Sequence, residues 1–137
     1  MNREIRIRGT ILAQISEHAR RESSRECCGL LAGRDGVITH GFAAENVASD
    51  PARSYEIAPK QIVRIMREFR MQGLEFLGIY HSHPSSENKP SARDIEQAYY
   101  SEAVYCILSP RTDAPKPARA FSIREGAVTE LEIEAVL

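Results

Sequence analysis

The sequence predicts an α/β fold, a mixed β-sheet packed with about three helices, and three observations carry that expectation. Short segments in which apolar residues alternate with polar ones, or run unbroken for about four to eight residues, recur along the chain as strands require. Three other segments repeat their apolar residues at helical spacing. The two kinds of segment are interleaved, so the helices should pack on the sheet the strands form.

In chain order, Glu4–Arg8 alternates around Ile5 and Ile7 and reads as a short half-buried strand. A helix is expected from about Thr10, a potential N-cap, with Ile11, Leu12, Ile15 and Ala19 on one face. The apolar run Cys27–Ala32, the turn residues Asp35-Gly36 and Val37–Ala43 form a hairpin of two strands. Ser54–Ile57 reads as another brief strand. Pro59 suits the first position of the clearest helix, which carries Ile62, Ile65, Met66 and Phe69 and is closed by Gly73. Glu75–His83 is apolar enough for a central strand, and Pro84–Pro90 is a polar loop. Ser91 opens a third helix to about Tyr100, and strands at Ala103–Leu108, Ala118–Arg124 and Val128–Ile133 complete the chain.

At 137 residues the chain is expected to be one domain, residues 1–137, able to build its own core. With 42% hydrophobic and 27% charged residues it lies far from disordered compositions. The net charge of −1 and the dispersed Lys and Arg argue against a nucleic-acid partner. The N-terminal MNREIRIRGT lacks the apolar stretch of a signal peptide, and no run approaches the roughly 18 apolar residues of a membrane span. No membrane association and a cytoplasmic location follow as expectations. Cys27, Cys28 and Cys106 have no metal-site spacing and read as reduced core residues; nucleophilic use of Cys27 would need an activating base.

The chemistry concentrates in Gly78–Asp94, GIYHSHPSSENKPSARD. Strand side chains alternate faces, so His81 and His83 project to one side and Ser82 to the other. Asp94, one turn into the next helix, can add an oxygen ligand. Two histidines, one carboxylate and a position left for water suit catalytic zinc, and the same ligands suit non-haem iron. Ser91-x-x-Asp94 also fits a capping box, and a histidine pair on a strand can simply be hydrogen-bonded or face solvent. Hydrolysis needs a carboxylate near the water, and Glu26, Glu56, Glu75 and Glu87 are the candidates. Glu26 stands out because it heads a buried strand, although a solvent-edge Glu explains it equally well.

Glu26 at the head of ECCGLLAG, with His81-Ser82-His83, seven residues, Ser91, two residues and Asp94, resembles the JAMM motif of the MPN+ metalloproteases. YEIAPKQ, GIYHSHP, VYCILSP, FSIREGAV and LEIEAVL extend the resemblance over nearly the whole chain. It implies a cytidine-deaminase-like core, zinc held by His81, His83 and Asp94, Glu26 as general acid/base on the zinc-bound water, and Ser91 at the oxyanion. The chain looks like the compact prokaryotic members, similar to those that process ubiquitin-like sulfur-carrier proteins. The resemblance therefore implies cleavage of a peptide or isopeptide bond after a carrier's C-terminal Gly-Gly, the tail entering along a sheet edge. An exposed strand edge also offers a route to a homodimer. Two rivals are a non-catalytic MPN scaffold, which the intact motif disfavours, and a zinc deaminase, whose H-x-E and P-C-x-x-C signature is missing.

Overall fold

The computed structural model describes residues 4–137. Seven strands and three helices follow the order β1 (Glu4–Arg8), α1 (Gly9–Arg21), β2 (Cys28–Arg34), β3 (Val37–Ala44), α2 (Pro59–Met71), β4 (Glu75–Ser82), α3 (Ala92–Glu96), β5 (Val104–Leu108), β6 (Ala118–Arg124) and β7 (Ala127–Val136). The strands lie in the order β1-β3-β2-β4-β5-β6-β7, and the ring closes because β1 pairs with both β3 and β7. The sheet is mixed as expected. β1–β3, β1–β7 and β4–β5 are parallel, whereas β2–β3, β2–β4, β5–β6 and β6–β7 are antiparallel.

Local chemistry explains the joints. Asp35 and Gly36 both take left-handed conformations, φ 54° and 76°, which two-residue hairpins favour because the turn then matches the strand twist. Pro59 opens α2, where its missing N–H costs nothing, and Gly73 at φ 68° ends the segment. Gly29 has a steric task, since a Cβ there would run into the Tyr80 ring and the Phe42 carbonyl.

The sheet is covered on both faces, which is why β2 and β4 read as continuous apolar runs. On one face α1 sets Ile15 and Ala19 against Ile7, Leu31, Tyr80 and Leu108. On the other, Ile65 and Phe69 of α2 meet Cys28, Leu30 and Ala32. Each fully buried Leu or Ile contributes about 1.5–3 kcal/mol. Ile95 of α3 packs on a third cluster around Ile79, Tyr105 and Ile107. All three cysteines are buried and free, in accord with the core reading. Among the described residues no helix is long and apolar enough to cross a membrane.

Several boundaries differ from expectation. Thr10 is not the N-cap: the chain passes straight from β1 into α1, so the extended Arg8 occupies that position without a side-chain cap. α3 stops at Glu96, well before Tyr100, and the chain turns back toward β5, with the Tyr100 N–H held by the Tyr105 hydroxyl at 3.1 Å. Ser54–Ile57 is extended but belongs to no ladder; Glu56 pairs inward with Asn46 and Val47, and the Ser54 carbonyl accepts from Asn46 Nδ2. Every strand of the ring has a neighbour on both sides, although β1 meets β3 at only two positions, Arg6 with Val37 and Ile7 with Ile38.

Candidate active site

The site lies where β4 ends. His81 is the last residue but one of that strand, and His83 continues its direction because its N–H donates to the Leu108 carbonyl at 2.9 Å. Alternation puts Ser82 on the opposite face, where its Oγ accepts from the Cys27 N–H at 2.9 Å. Both histidines are buried.

Three ligating atoms converge. His81 Nε2 and His83 Nε2 are 3.2 Å apart, and Asp94 Oδ2 is 3.2 Å from the first and 3.0 Å from the second. Zinc bonds of about 2.0–2.1 Å to nitrogen and oxygen in tetrahedral geometry set ligand atoms about 3.3 Å from one another. The triangle is thus close to one face of a zinc tetrahedron. The His83 ring is oriented for this role by Nδ1, which lies 2.8 Å from the Glu87 carbonyl; with Nδ1–H donating there, a neutral ring would offer its Nε2 lone pair to a metal in place of the contact with Asp94. Tyr55 stacks on the His81 ring, with centroids 4.4 Å apart and planes 23° from parallel, and fixes its plane.

Asp94 closes the cap that its sequence context allowed and also faces the two histidines. Ser91 Oγ accepts from the Asp94 N–H and Asp94 Oδ2 accepts from the Ser91 N–H, each at 3.0 Å, so the capping box is complete. The same Oδ2 faces the histidines. Burial opposes ionisation of Asp94, but hydrogen bonds from His81 and His83 outweigh it and hold the carboxyl well below the usual carboxylate range. Burial also lowers the His81 pKa and so favours a neutral imidazole. Ser91 itself is exposed, and its hydroxyl proton takes no acceptor among the described residues.

Of the four candidate carboxylates only Glu26 reaches this place. Glu56, Glu75 and Glu87 are exposed, and Glu87 contributes only its main-chain carbonyl. Glu26 is 4% exposed, which removes the solvent-edge reading. One of its carboxylate oxygens and the two histidine nitrogens all lie within 4.8 Å of one another. Its Oε1 is buried without a hydrogen-bond partner, and burial pushes its carboxyl up to about 7. Two carboxylates therefore compete for the third ligand position. The shorter Asp94 contacts match the tetrahedral edge, while Glu26 faces the same space as an unpartnered proton acceptor. The donor set fits a divalent metal, with one carboxylate to spare.

Two neighbours went unnoticed in the sequence. Tyr55 belongs to the quoted YEIAPKQ, but its stacking on His81 depends on a contact between distant segments. Asn46 lies in a polar stretch where its only local signal is the Asx turn to Ala48, Oδ1 accepting that N–H at 3.0 Å.

The family described as prokaryotic homologs of the JAB domain matches residues 10–124. A desampylase from Haloferax volcanii is 38% identical over 105 residues, covering 75% of this chain and 76% of that protein. A CysO-cysteine peptidase from Mycobacterium tuberculosis is 30% identical over 132 residues, covering 95% and 90%. Among solved structures, a Desulfitobacterium hafniense protein superimposes with a TM-score of 0.85 at 28% identity, covering 96% of this chain and 92% of that one. A JAB1/MPN domain protein from Archaeoglobus fulgidus, at 21% identity, a TM-score of 0.61 and 96% coverage of both chains, has the same fold.

Proposed function

The chain belongs to the family of prokaryotic homologs of the JAB domain, and on that footing we propose that it is a zinc-dependent JAMM-type metallopeptidase. Its reaction is hydrolysis of a peptide or isopeptide bond after the C-terminal Gly-Gly of a ubiquitin-like or sulfur-carrier protein. The observation that carries the reading is the triangle of His81, His83 and Asp94 atoms with the buried, unpartnered Glu26 carboxylate beside it. The similarity to a desampylase and a CysO-cysteine peptidase supports the substrate class. Residues 1–137 are read as one such domain, acting in the cytoplasm.

His81, His83 and Asp94 would hold the ion. When bound, zinc supplies a Lewis acid for the scissile carbonyl and lowers the pKa of water to about 7. Glu26 takes the proton of the attacking water on its buried carboxylate and delivers it to the departing nitrogen. Burial pushes its carboxyl up to about 7, and a bound cation would pull it back down toward the ionised form that accepts a proton. The unused hydroxyl proton of Ser91 would donate to the carbonyl oxygen as negative charge develops there.

The closed barrel changes how a tail would enter. The extended segment around Tyr55 replaces a barrel edge: the main-chain groups of Glu56 pair inward, and those of Tyr55 and Ile57 take no partner among the described residues. A tail added alongside would gain main-chain hydrogen bonds beside Tyr55, which touches His81. Its alternate side chains would fall toward a cleft of about 140 Å³ lined by Tyr55, Ile57, Ile62, Ile79, Tyr99 and Tyr100.

Mass spectrometry of zinc-loaded protein incubated with carrier adducts tests the proposal. Wild type should release the group attached to the terminal glycine, and Glu26→Gln should keep its zinc while turnover falls roughly 100- to 10,000-fold. Near-full hydrolysis by Glu26→Gln would overturn the role of Glu26, and no cleavage across a panel of Gly-Gly adducts would overturn the substrate class.

A further inference from the structure

Glu26 is held in an unusual way for a residue on which a reaction depends. It precedes β2 and belongs to no ladder, and its Oε1 has no partner to orient it. Its main-chain groups are fixed by the loop after β3. The Glu26 N–H donates to the Pro51 carbonyl at 2.7 Å, and the Glu26 carbonyl accepts from Asn46 Nδ2 at 2.9 Å.

Asn46 is 6% exposed and uses its whole amide. Nδ2 donates to the carbonyls of Glu26 and Ser54, both at 2.9 Å, with a longer contact of 3.4 Å to Pro51. Oδ1 accepts from the N–H groups of Ala48 at 3.0 Å and Glu56 at 3.1 Å. Arg25 closes the node by donating to the Asn46 carbonyl at 2.9 Å. One side chain therefore fixes the residue that moves the proton and the extended segment beside which the tail would lie. Both faces of the amide are committed, so neither tie can shift without straining the other.

We infer that Asn46 is the positioning residue of this site, setting Glu26 and the Ser54–Ile57 segment in one register. The inference rests on the peptidase reading above for its kinetic part and stands apart from it for its structural part. Asn46 touches neither the ligand triangle nor the reacting atoms, so its effect is transmitted through Glu26 and Glu56. An ångström of misplacement in a reacting group costs about 100-fold in rate.

Two variants separate the ties. Asn46→Ala removes both. Asn46→Asp keeps an acceptor for Ala48 and Glu56 but sets a carboxylate oxygen against the Glu26 and Ser54 carbonyls. Zinc content, hydrogen exchange and steady-state kinetics are measured on each zinc-loaded protein. In Asn46→Ala, exchange at Ala48 and Glu56, whose N–H groups Oδ1 accepts, should quicken at least 10-fold while that at Ser82 and His83 stays unchanged and zinc remains stoichiometric. With Gly-Gly adducts, Asn46→Asp should lower kcat roughly 10- to 100-fold at little change in KM, and Asn46→Ala should lower kcat and raise KM. If Asn46→Ala fails to fold, Asn46→Ser, which retains one donor and one acceptor, gives the same exchange pattern at smaller amplitude. Unchanged exchange at Ala48 and Glu56 in Asn46→Ala, wild-type kcat in Asn46→Asp, or loss of zinc in step with loss of activity overturns the inference. Inactive wild type overturns only the peptidase reading, because the exchange pattern is read without turnover.

Discussion

Substitution of Asp94 separates the two jobs of one carboxylate oxygen. Asp94→Ala removes the contacts of Oδ2 with both histidines and its half of the capping box, whereas Ser91→Ala removes only the hydroxyl that accepts from the Asp94 N–H. The lost cap costs about 1 kcal/mol in either variant, a Tm change of about 3–5 °C for a chain of this size. Zinc distinguishes them. At a free zinc concentration 100 times the wild-type Kd, binding stabilises the fold by about 2.7 kcal/mol. A 100-fold loss of affinity leaves about 0.4 kcal/mol of that at the same concentration. The zinc-dependent rise in Tm should therefore shrink by on the order of 10 °C in Asp94→Ala and remain intact in Ser91→Ala. Thermal melts with and without zinc check this. A full zinc increment in Asp94→Ala would refute Asp94 as a ligand, and its loss in Glu26→Ala would then move the third ligand to Glu26, whose carboxylate is within 4.8 Å of both histidine nitrogens.

Two other outcomes follow from buried groups away from the ion. Tyr80→Phe removes the hydroxyl that meets His18 Nδ1 at 2.7 Å and leaves a buried ring nitrogen unpaired; denaturant melts should show a loss of about 1–3 kcal/mol, with zinc binding unchanged because Tyr80 faces α1. Burial pushes the Cys27 thiol up to about 11 and those of Cys28 and Cys106 to about 12. The unfolded chain then loses thiol protons from about pH 8.5 that the folded chain keeps, so stability is intact below that pH and falls as pH rises toward 11–12, by on the order of 1 kcal/mol per pH unit and thiol. Urea melts from pH 8 to 10.5 measure the slope, and a flat profile would contradict it.

The legible parts were those governed by one element's own backbone. The alternation of a strand put His81 and His83 on one side and Ser82 on the other, and a helix start put Asp94 one turn after Ser91. The strand at Ser54–Ile57 failed for a physical reason: an extended, partly apolar segment looks the same whether or not a partner strand lies alongside, and here Ser54 and Glu56 meet Asn46 and Val47 without forming a ladder. The overlong third helix failed because Tyr100 is drawn to the Tyr105 hydroxyl, a contact that helical spacing does not encode.

Glu26 shows where the boundary falls. Residue type alone made it one carboxylate among four; its place at the head of a buried strand set it apart from Glu56, Glu75 and Glu87, and the resemblance to the JAMM motif singled it out. The register of β2 against β4 brings it to the site, since pairing Cys28 with His81 carries the chain end at Glu26 toward the histidines, while the other three acids stay in solvent. Tyr55 and Asn46 entered by the same route. By itself the sequence determined the ligand-bearing strand, the capping box and the mixed α/β class, because periodicity and capping are properties of consecutive residues. Tertiary structure alone decided how closely Glu26 and Asp94 approach the two histidines, what holds Glu26, and that the sheet closes, because these depend on register between segments far apart in the chain.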